Sequence, residues 1–271
     1  MRVFKQVIDF YINSSIHVAL SCYFLVRMTQ FMFHIPEEST IANFAFFGTI
    51  LGYNFVKYDA LARVKKVQMK NELKAIAFLS FLSFIFVAYY FFQLQRTTQI
   101  VAVCFLGLTL LYTLPFFPNR KNARNWKGIK IYIVALSWVG ATLILPILNA
   151  EIAITFDFYL KCVQRFLLIF ILILIFEIID LQFDDPNLKT VPQQIGVKRT
   201  KIIGMLLLIV FYLLEFFKHD FIQKQLLVNL VLVATISVFL LYANEKRSKY
   251  YSSFWVESIP IFWWILLLIF R

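Results

Sequence analysis

The stretch from Phe176 to Gly196 reads FEIIDLQFDDPNLKTVPQQIG, and it follows a run of apolar residues that begins at Phe166. Its acids Glu177, Asp180 and Asp184 lie three and then four residues apart. On a helix these spacings place the carboxylates on one face, where their oxygens can converge on one hard cation. Because carboxylates at the edge of a bilayer are costly, the stretch is a candidate functional site. A solvated acidic helix end, stopped by the following proline, is the alternative interpretation.

Composition indicates an integral membrane protein. Hydrophobic residues make up 61% of the 271 residues and charged residues 15%, and the mean hydropathy is +0.76. Soluble domains contain about 45–50% and about 25% of these residues. A chain of this length is filled by about nine spans of roughly 20 residues, so we expect a single transmembrane domain over residues 1–271. The cysteines lie in separate apolar segments without a paired motif and indicate neither a disulfide framework nor a zinc site: Cys22, Cys104 and Cys162.

Proline residues and polar clusters divide the chain into nine predicted transmembrane helices. These helices cover residues 8–33, 40–58, 73–94, 99–117, 128–148, 157–182, 200–217, 222–243 and 252–270. Because the number of crossings is odd, we expect the two termini on opposite sides of the membrane.

Lys and Arg are concentrated in alternate connections, those after the second, fourth, sixth and eighth predicted helices. By the positive-inside rule, these connections and the amino terminus are predicted to be cytoplasmic, and the carboxyl terminus lies on the opposite side. The net charge of +12 therefore mostly reflects topology, and some of the basic residues are also candidates to meet a phosphorylated substrate, because they cluster on the same side as the acids. We expect no nucleic-acid partner, because no soluble module is predicted that would bind one.

The acidic pattern resembles a known motif. Glu177-x-x-Asp180-x-x-x-Asp184, followed by the K-T-x-P-x-x-x-G segment from Lys189 to Gly196, resembles the second Asp-rich motif of the UbiA superfamily of intramembrane prenyltransferases and the segment that trails it. The resemblance extends to Asn54, near the cytoplasmic end of the second predicted helix. It also includes the fifth helix, which reads KIYIVALSWVGATLILP from residue 130 to residue 146. The resemblance implies an all-α, nine-transmembrane-helix UbiA-type bundle with a central cavity open to the cytoplasmic side.

The resemblance also implies a reaction, transfer of a prenyl group from a prenyl diphosphate to an aromatic or other lipid-soluble acceptor, with Mg²⁺ as cofactor. Asp180, Asp184 and Glu177 are then the candidate catalytic residues. Asp180 and Asp184 bind the metal, and Glu177 either binds it or holds one of its ligands. Mg²⁺ is suited to this role because it binds one or two carboxylates together with phosphate oxygens and neutralises charge on a departing diphosphate. Three lysines are candidates for contact with the diphosphate: Lys127, Lys130 and Lys189.

The first Asp-rich motif departs from the family pattern. Asn54 is followed four and eight residues later by Tyr58 and Ala62, where family members usually carry acids. The nearby acid is Asp59, which lies about 140° round a helix from Asn54. We take Asn54 and Asp59 as candidate substrate-binding residues. Three alternatives remain open: Asp59 substitutes from an irregular turn, one Mg²⁺ at the second motif suffices, or the fold is kept without prenyl transfer.

Three functions are compatible with these features. The leading hypothesis is a Mg²⁺-dependent membrane prenyltransferase. The alternative is a catalytically silent member of the same fold that binds an isoprenoid lipid or a membrane partner protein. A transporter with an intramembrane acid as its coupling site is less favoured, because the acids lie at a helix end and no predicted span is visibly broken near mid-bilayer.

Other polar residues within the predicted spans have simpler interpretations. His17 is typical of a hydrogen bond between membrane helices. Asp157, Lys161 and Arg165 step by four near the predicted outer surface, which indicates ion pairs and side chains that snorkel to the interface. Glu257 lies in the last predicted span, where members of the UbiA superfamily often carry an acid.

Overall fold

The computed structural model describes residues 2–36, 38–63, 71–113, 128–184, 188–219 and 223–270, with the side chains of residues 2–3, 59–63 and 111–113 outside the description. Within these ranges the chain is helical and contains no strand, which confirms the all-α prediction. The α-helices are α1 Arg2–Asn13, α2 Ile16–Met32, α3 Ser39–Arg63, α4 Asn71–Phe91, α5 Arg96–Thr113, α6 Lys130–Val139, α7 Leu145–Asn149, α8 Phe156–Asp180, α9 Val191–Ile195, α10 Val197–Leu213, α11 Gln223–Tyr242 and α12 Ile259–Ile269. Gly140–Ile144 and Tyr251–Val256 are π-helical, and Leu214–Phe217 is a 3₁₀ turn.

Several helices are long and apolar enough to cross a membrane. Six such segments lie within the described ranges: Asn71–Phe91, Lys130–Asn149, Phe156–Asp180, Val197–Phe217, Gln223–Tyr242 and Tyr251–Ile269. The chain is therefore a multi-pass membrane protein, as predicted. The other three predicted spans, 8–33, 40–58 and 99–117, coincide with helices that do not meet this criterion in the described part of the chain. Nine crossings therefore stay a prediction.

The first predicted helix, 8–33, is wrong as one continuous element. α1 begins at Arg2 and ends at Asn13, and α2 begins at Ile16. Between them Ser15 adopts a left-handed backbone conformation with φ 63°. Ser and Thr side chains compete for nearby backbone groups, and the Ser14 hydroxyl donates to the carbonyl oxygen of Tyr11 at 3.4 Å. The serine pair thus separates α1 from the helix that follows.

Helix α8 lies at the centre of the bundle. Its most apolar window is 61% buried, whereas the corresponding window of α4 is 11% buried. Leu168 and Ile175 of α8 belong to one core cluster with Phe211 of α10, Ile236 of α11 and Trp263 of α12. α4 instead exposes a row of phenylalanines, which in a membrane protein face lipid: Phe78, Phe81 and Phe84. The acids at the end of α8 are therefore carried by the most enclosed of these spans.

Candidate functional site

The three acids at the end of α8 lie close together. The backbone amides of Phe183 and Asp184 donate to the carbonyl oxygen of Asp180 at 2.8 and 2.9 Å, so the chain continues for one more turn beyond the helix. Asp184 therefore follows Asp180 one turn along the same side. Glu177 and Asp180 each interact electrostatically with Asp184. The structure thus contains the acidic stripe that the spacing predicts. We call the end of the bundle that carries it the acidic end.

Glu177 has a partner in the backbone. Its side chain is buried, and Oε2 accepts a hydrogen bond from the amide of Val191 at 3.0 Å. Val191 is the first residue of α9, whose amide has no acceptor within the helix. A carboxylate is a favourable partner there, because the helix dipole is positive at the amino end. Glu177 therefore holds the segment after the acids against α8 and is a positioning residue.

The K-T-x-P-x-x-x-G segment has a local structural explanation. Thr190 precedes α9, and its amide donates to Oε1 of Gln193 at 3.0 Å. Pro192 lies in the first turn, where a missing amide hydrogen costs nothing. Gly196 has φ +80°, a left-handed conformation that lets the chain pass directly from α9 into α10. These residues return the chain to the membrane just beside the acids.

Lys130 is the predicted lysine that the structure brings to the acids. It is the first residue of α6 and interacts electrostatically with both Glu177 and Asp180. The start of α6 lies beside α9. Gly128, two residues before α6, is close to the side chain of Gln194 in α9, because a Cβ atom built on Gly128 would lie 3.6 Å from Nε2 of Gln194. The helix that resembles the fifth helix of the family thus presents a positive charge to the acidic stripe.

Lys249 is a site residue that sequence reasoning missed. It interacts electrostatically with Asp180, and its Nζ lies 5.0 Å from the ring centroid of Phe183. The side-chain amide of Gln182 donates to the carbonyl oxygen of Glu245 at 2.7 Å and joins the turn after α8 to the connection after α11. The available signal was the basic connection after the eighth predicted helix, which is predicted to lie on the same side of the membrane as the acids.

The other two predicted lysines are Lys127 and Lys189. Lys127 lies outside the described residues. Lys189 is exposed, with φ 48°, and its carbonyl oxygen accepts a hydrogen bond from the side chain of Gln194.

The first-motif residues lie on α3. Asn54 is buried, and its Nδ2 donates to the hydroxyl of Ser80 on α4 at 3.0 Å. Its Oδ1 is buried and has no hydrogen-bond partner among the described residues. The side chain of Asp59 is not among those that the structure describes. The backbone around Asp59 is α-helical as far as Arg63. The alternative in which Asp59 is presented from an irregular turn is therefore wrong.

One oxygen of Asp184 bears on whether the acids can bind a metal ion. Oδ2 of Asp184 is buried without a hydrogen-bond partner, and it is the only carboxylate oxygen in that state within the described ranges. In the same ranges no group of three or more His, Cys, Asp or Glu side chains is arranged to hold a metal ion. Two carboxylates suffice for a Mg²⁺ ion whose remaining ligands are phosphate oxygens and water. Asp180 and Asp184 therefore fit a metal that is shared with a phosphorylated ligand.

The two cavities described lie at the opposite end of the bundle from the acids. One, of about 270 Å³, is bordered by Arg27, His34 and Trp264 at the end of α2. The other, of about 360 Å³, lies between Phe91 and Arg96, where α4 connects to α5. A central cavity open at the acidic end stays a prediction.

A second charged cluster is also at the opposite end. Glu215 is fully buried, and its Oε2 accepts hydrogen bonds from Lys161 at 3.1 Å, Gln164 at 3.0 Å and Asn229 at 2.9 Å. Its Oε1 accepts from Lys218 at 2.5 Å. Both carboxylate oxygens are therefore paired. We call these five residues the Glu215 cluster.

Arg165 is buried one turn after Lys161 on α8. Its guanidinium donates to the hydroxyl of Thr142 at 2.9 Å and to the carbonyl oxygen of Leu25 at 3.2 Å, and it lies 5.8 Å from the ring centroid of Trp263. Lys161 is 4% exposed and Arg165 is 2% exposed. The predicted snorkelling of both side chains is wrong, because each finds its partners on neighbouring helices.

His17 joins two helices at the acidic end, as predicted. Its Nε2 lies 2.9 Å from the carbonyl oxygen of Phe254 and 3.1 Å from the hydroxyl of Ser258. Its Nδ1 lies 2.8 Å from the hydroxyl of Tyr11. Beside it, Glu257 interacts electrostatically with Lys57 of α3. These contacts describe a junction between α1, α2, α3 and the last span.

The sequence matches no family model, and neither the curated proteins nor the solved structures contain a match to it.

Proposed function

We propose that this chain is a UbiA-type membrane prenyltransferase that transfers a prenyl group from a prenyl diphosphate to an aromatic or other lipid-soluble acceptor, with Mg²⁺ as cofactor. The observation that carries the proposal is the buried, unpartnered Oδ2 of Asp184, one helical turn from Asp180. A buried carboxylate oxygen without a partner is costly and favours a cationic ligand. The resemblance of the motif to the UbiA superfamily supports the choice of that ligand.

The charges around Asp184 support a site for metal and diphosphate. Asp180 and Glu177 add negative charge on the same stripe, so the three carboxylates repel one another without a cation. Lys130 and Lys249 are positive and act on Asp180. Two lysines beside two carboxylates suit a ligand that is itself anionic and brings its metal with it.

Each described residue then has a role. Asp180 and Asp184 bind Mg²⁺, which supplies neutralisation of charge on the leaving diphosphate. Lys130 and Lys249 bind the diphosphate oxygens and hold the donor at the mouth of the bundle. Glu177 positions α9, the helix that follows the acids, by accepting a hydrogen bond from the amide of Val191.

Turnover by the purified full-length chain tests this proposal. The chain is reconstituted in nanodiscs with a panel of prenyl diphosphates and acceptors, and diphosphate release and prenylated product are measured with and without a chelator. Asp180→Asn and Asp184→Asn should each lower Mg²⁺-dependent turnover by at least about 100-fold, since metal stabilisation of the transition state contributes several kcal/mol.

Asp157→Asn is the matched control. Asp157 lies on the same helix at the opposite end, and its Oδ1 accepts from the amide of His219 at 3.0 Å, a bond that asparagine can keep. Its turnover should equal that of the unmodified chain. Equal turnover in the unmodified chain and in both acidic-end variants would remove the metal mechanism.

Asn54 favours a second candidate function, a catalytically silent member of the same fold that binds an isoprenoid lipid or a membrane partner protein. The amide of Asn54 is engaged with Ser80, and the positions of the family's first-motif acids hold Tyr58 and Ala62. This candidate predicts no product with any donor and acceptor pair. It also predicts an isoprenoid lipid or a stoichiometric membrane protein that copurifies with the chain and is identified by mass spectrometry.

A further inference from the structure

The first helix, α1, is amphipathic. Its sequence is RVFKQVIDFYIN, and each residue advances about 100° round the helix. The polar residues share one face: Arg2, Lys5, Gln6, Asp9 and Asn13. The apolar residues cover the rest: Val3, Phe4, Val7, Ile8, Phe10, Tyr11 and Ile12. A helix of this pattern needs an apolar surface on one side and water on the other.

The protein covers only the second half of that apolar face. Ile12 is 7% exposed and the hydroxyl of Tyr11 bonds His17. Phe4 and Val7 are 72% and 61% exposed. The first two turns of α1 thus present apolar side chains that nothing in the described structure covers.

The position of α1 identifies what covers them. Tyr250, just before the last candidate span, donates to Asp9, and the side chain of Asn13 donates to Glu72 at 3.0 Å, in the first turn of α4. Lys57 and Tyr58 of α3 donate to the last carbonyl groups of α1 at 3.4 and 3.0 Å. The candidate spans of α4 and of the last helix begin at Asn71 and Tyr251, so the contacts with Glu72 and Tyr250 place α1 at the depth of the membrane surface.

The charge on α1 complements an anionic membrane surface. Lys5 is exposed. Basic residues beside the apolar face of an interfacial helix are attracted to anionic lipid headgroups. Asp9, the acid of this face, is already bonded to Tyr250.

We propose that α1 lies in the plane of the leaflet at the acidic end, with Phe4 and Val7 inserted below the headgroups and Lys5 beside anionic lipid headgroups. The surface is a lipid-docking helix that is fixed at its carboxyl end to α3, α4 and the last span. The proposal is independent of the proposed enzymatic function, because it depends only on the membrane location of the chain.

Spin-label accessibility tests this placement. A nitroxide is attached to the full-length chain at Phe4→Cys, Val7→Cys, Lys5→Cys or Gln6→Cys, in a background with Cys104→Ala and Cys162→Ala, the two native cysteines that are not buried. Each sample is reconstituted in nanodiscs of phosphatidylcholine mixed with phosphatidylglycerol. The ratio of collisions with lipid-soluble oxygen to collisions with a water-soluble nickel chelate should be several-fold higher at positions 4 and 7 than at positions 5 and 6.

Two results would overturn the insertion. Equal ratios at all four positions would place α1 in water, and low collision rates with both reagents at positions 4 and 7 would place them against protein. The four labels are their own control for folding, because each lies on the same helix in the same chain.

Lipid composition separates the headgroup contact from insertion. In phosphatidylcholine alone, the ratio at position 7 should fall, and Lys5→Gln should abolish the difference between the two lipid compositions. The same ratio in both compositions for the unmodified Lys5 chain would overturn the contact with anionic headgroups.

Discussion

The two ends of α8 both carry buried charge, and they differ in how many partners that charge has. At the opposite end, each oxygen of Glu215 accepts a hydrogen bond from a lysine, and two amide side chains complete the shell of Oε2. At the acidic end, three acids lie along one stripe and Oδ2 of Asp184 has no partner within the described residues. Charged residues in a membrane helix are therefore not equivalent evidence of function. A carboxylate whose two oxygens are both paired with protein groups indicates a structural role, and a buried carboxylate oxygen without a partner favours a cationic ligand.

This comparison predicts opposite responses to mutation. Removing a carboxylate from the Glu215 cluster leaves buried cations behind, whereas removing one from the acidic stripe relieves repulsion. The first should lower the free energy of unfolding, whereas the second, at Asp180 or Asp184, should lower activity without destabilising the ligand-free chain.

The largest expected effect belongs to Glu215→Ala. The substitution leaves the buried ammonium of Lys161 without its carboxylate, and breaking a buried pair in this way costs about 3–5 kcal/mol. The free energy of unfolding is measured by circular dichroism during unfolding in mixed detergent micelles.

The double variant Lys161→Met with Glu215→Ala is the matched control. It replaces the Lys161–Glu215 pair by apolar atoms and should recover the part of the loss that comes from the unpaired Lys161, while Lys218 still lacks its carboxylate. The loss of unfolding free energy in the double variant is compared with the sum of the losses in Lys161→Met and Glu215→Ala. Equality would show that Lys161 and Glu215 contribute independently to stability.

Glu177 provides an intermediate effect, because its carboxylate accepts a hydrogen bond from a backbone amide. Glu177→Ala removes the charged acceptor for the partly buried amide of Val191 and should cost about 1–3 kcal/mol. Glu177→Gln keeps an acceptor oxygen in place and should cost less than half as much.

Hydrogen exchange at Val191 distinguishes this role from metal binding. The amide should exchange faster in Glu177→Ala than in Glu177→Gln, with or without Mg²⁺. Equal exchange rates in the two variants would show that Glu177 does not hold α9.

Much of the acidic end could be predicted from sequence because its determinants are local. Spacings of three and four fix the relative positions of Glu177, Asp180 and Asp184 once α8 is a helix, and the backbone continues that helical turn past Asp180. Thr190, Pro192 and Gly196 likewise act within α9 and its ends. The all-helical, multi-pass architecture follows from apolar runs of span length.

The parts that could not be predicted depend on tertiary packing. Lys161 and Glu215 are 54 residues apart, so the charge pattern along α8 predicted ion pairs within that helix and snorkelling side chains, whereas Lys161 forms a buried pair with a distant residue. Lys249 reaches Asp180 only because of the path of the connection before the last span. The boundary between α1 and α2 depends on the left-handed conformation of Ser15. Two serines between apolar segments do not predict that conformation.

The smallest expected effect on stability is that of Asp184→Asn, and its sign sharpens the comparison between the two ends. Asparagine removes a negative charge beside Asp180 and Glu177, and relief of like-charge repulsion one turn apart on a helix contributes a few tenths of a kcal/mol. The free energy of unfolding without Mg²⁺ should therefore rise by about 0.2–0.5 kcal/mol, the range for such helical pairs. With Mg²⁺ and a prenyl diphosphate analogue, the unmodified chain should gain stability in proportion to ligand concentration, and Asp184→Asn should not. A loss of stability on the scale of Glu215→Ala in ligand-free Asp184→Asn would show that Asp184 is a structural residue with protein partners, and the distinction between the two ends of α8 would not hold.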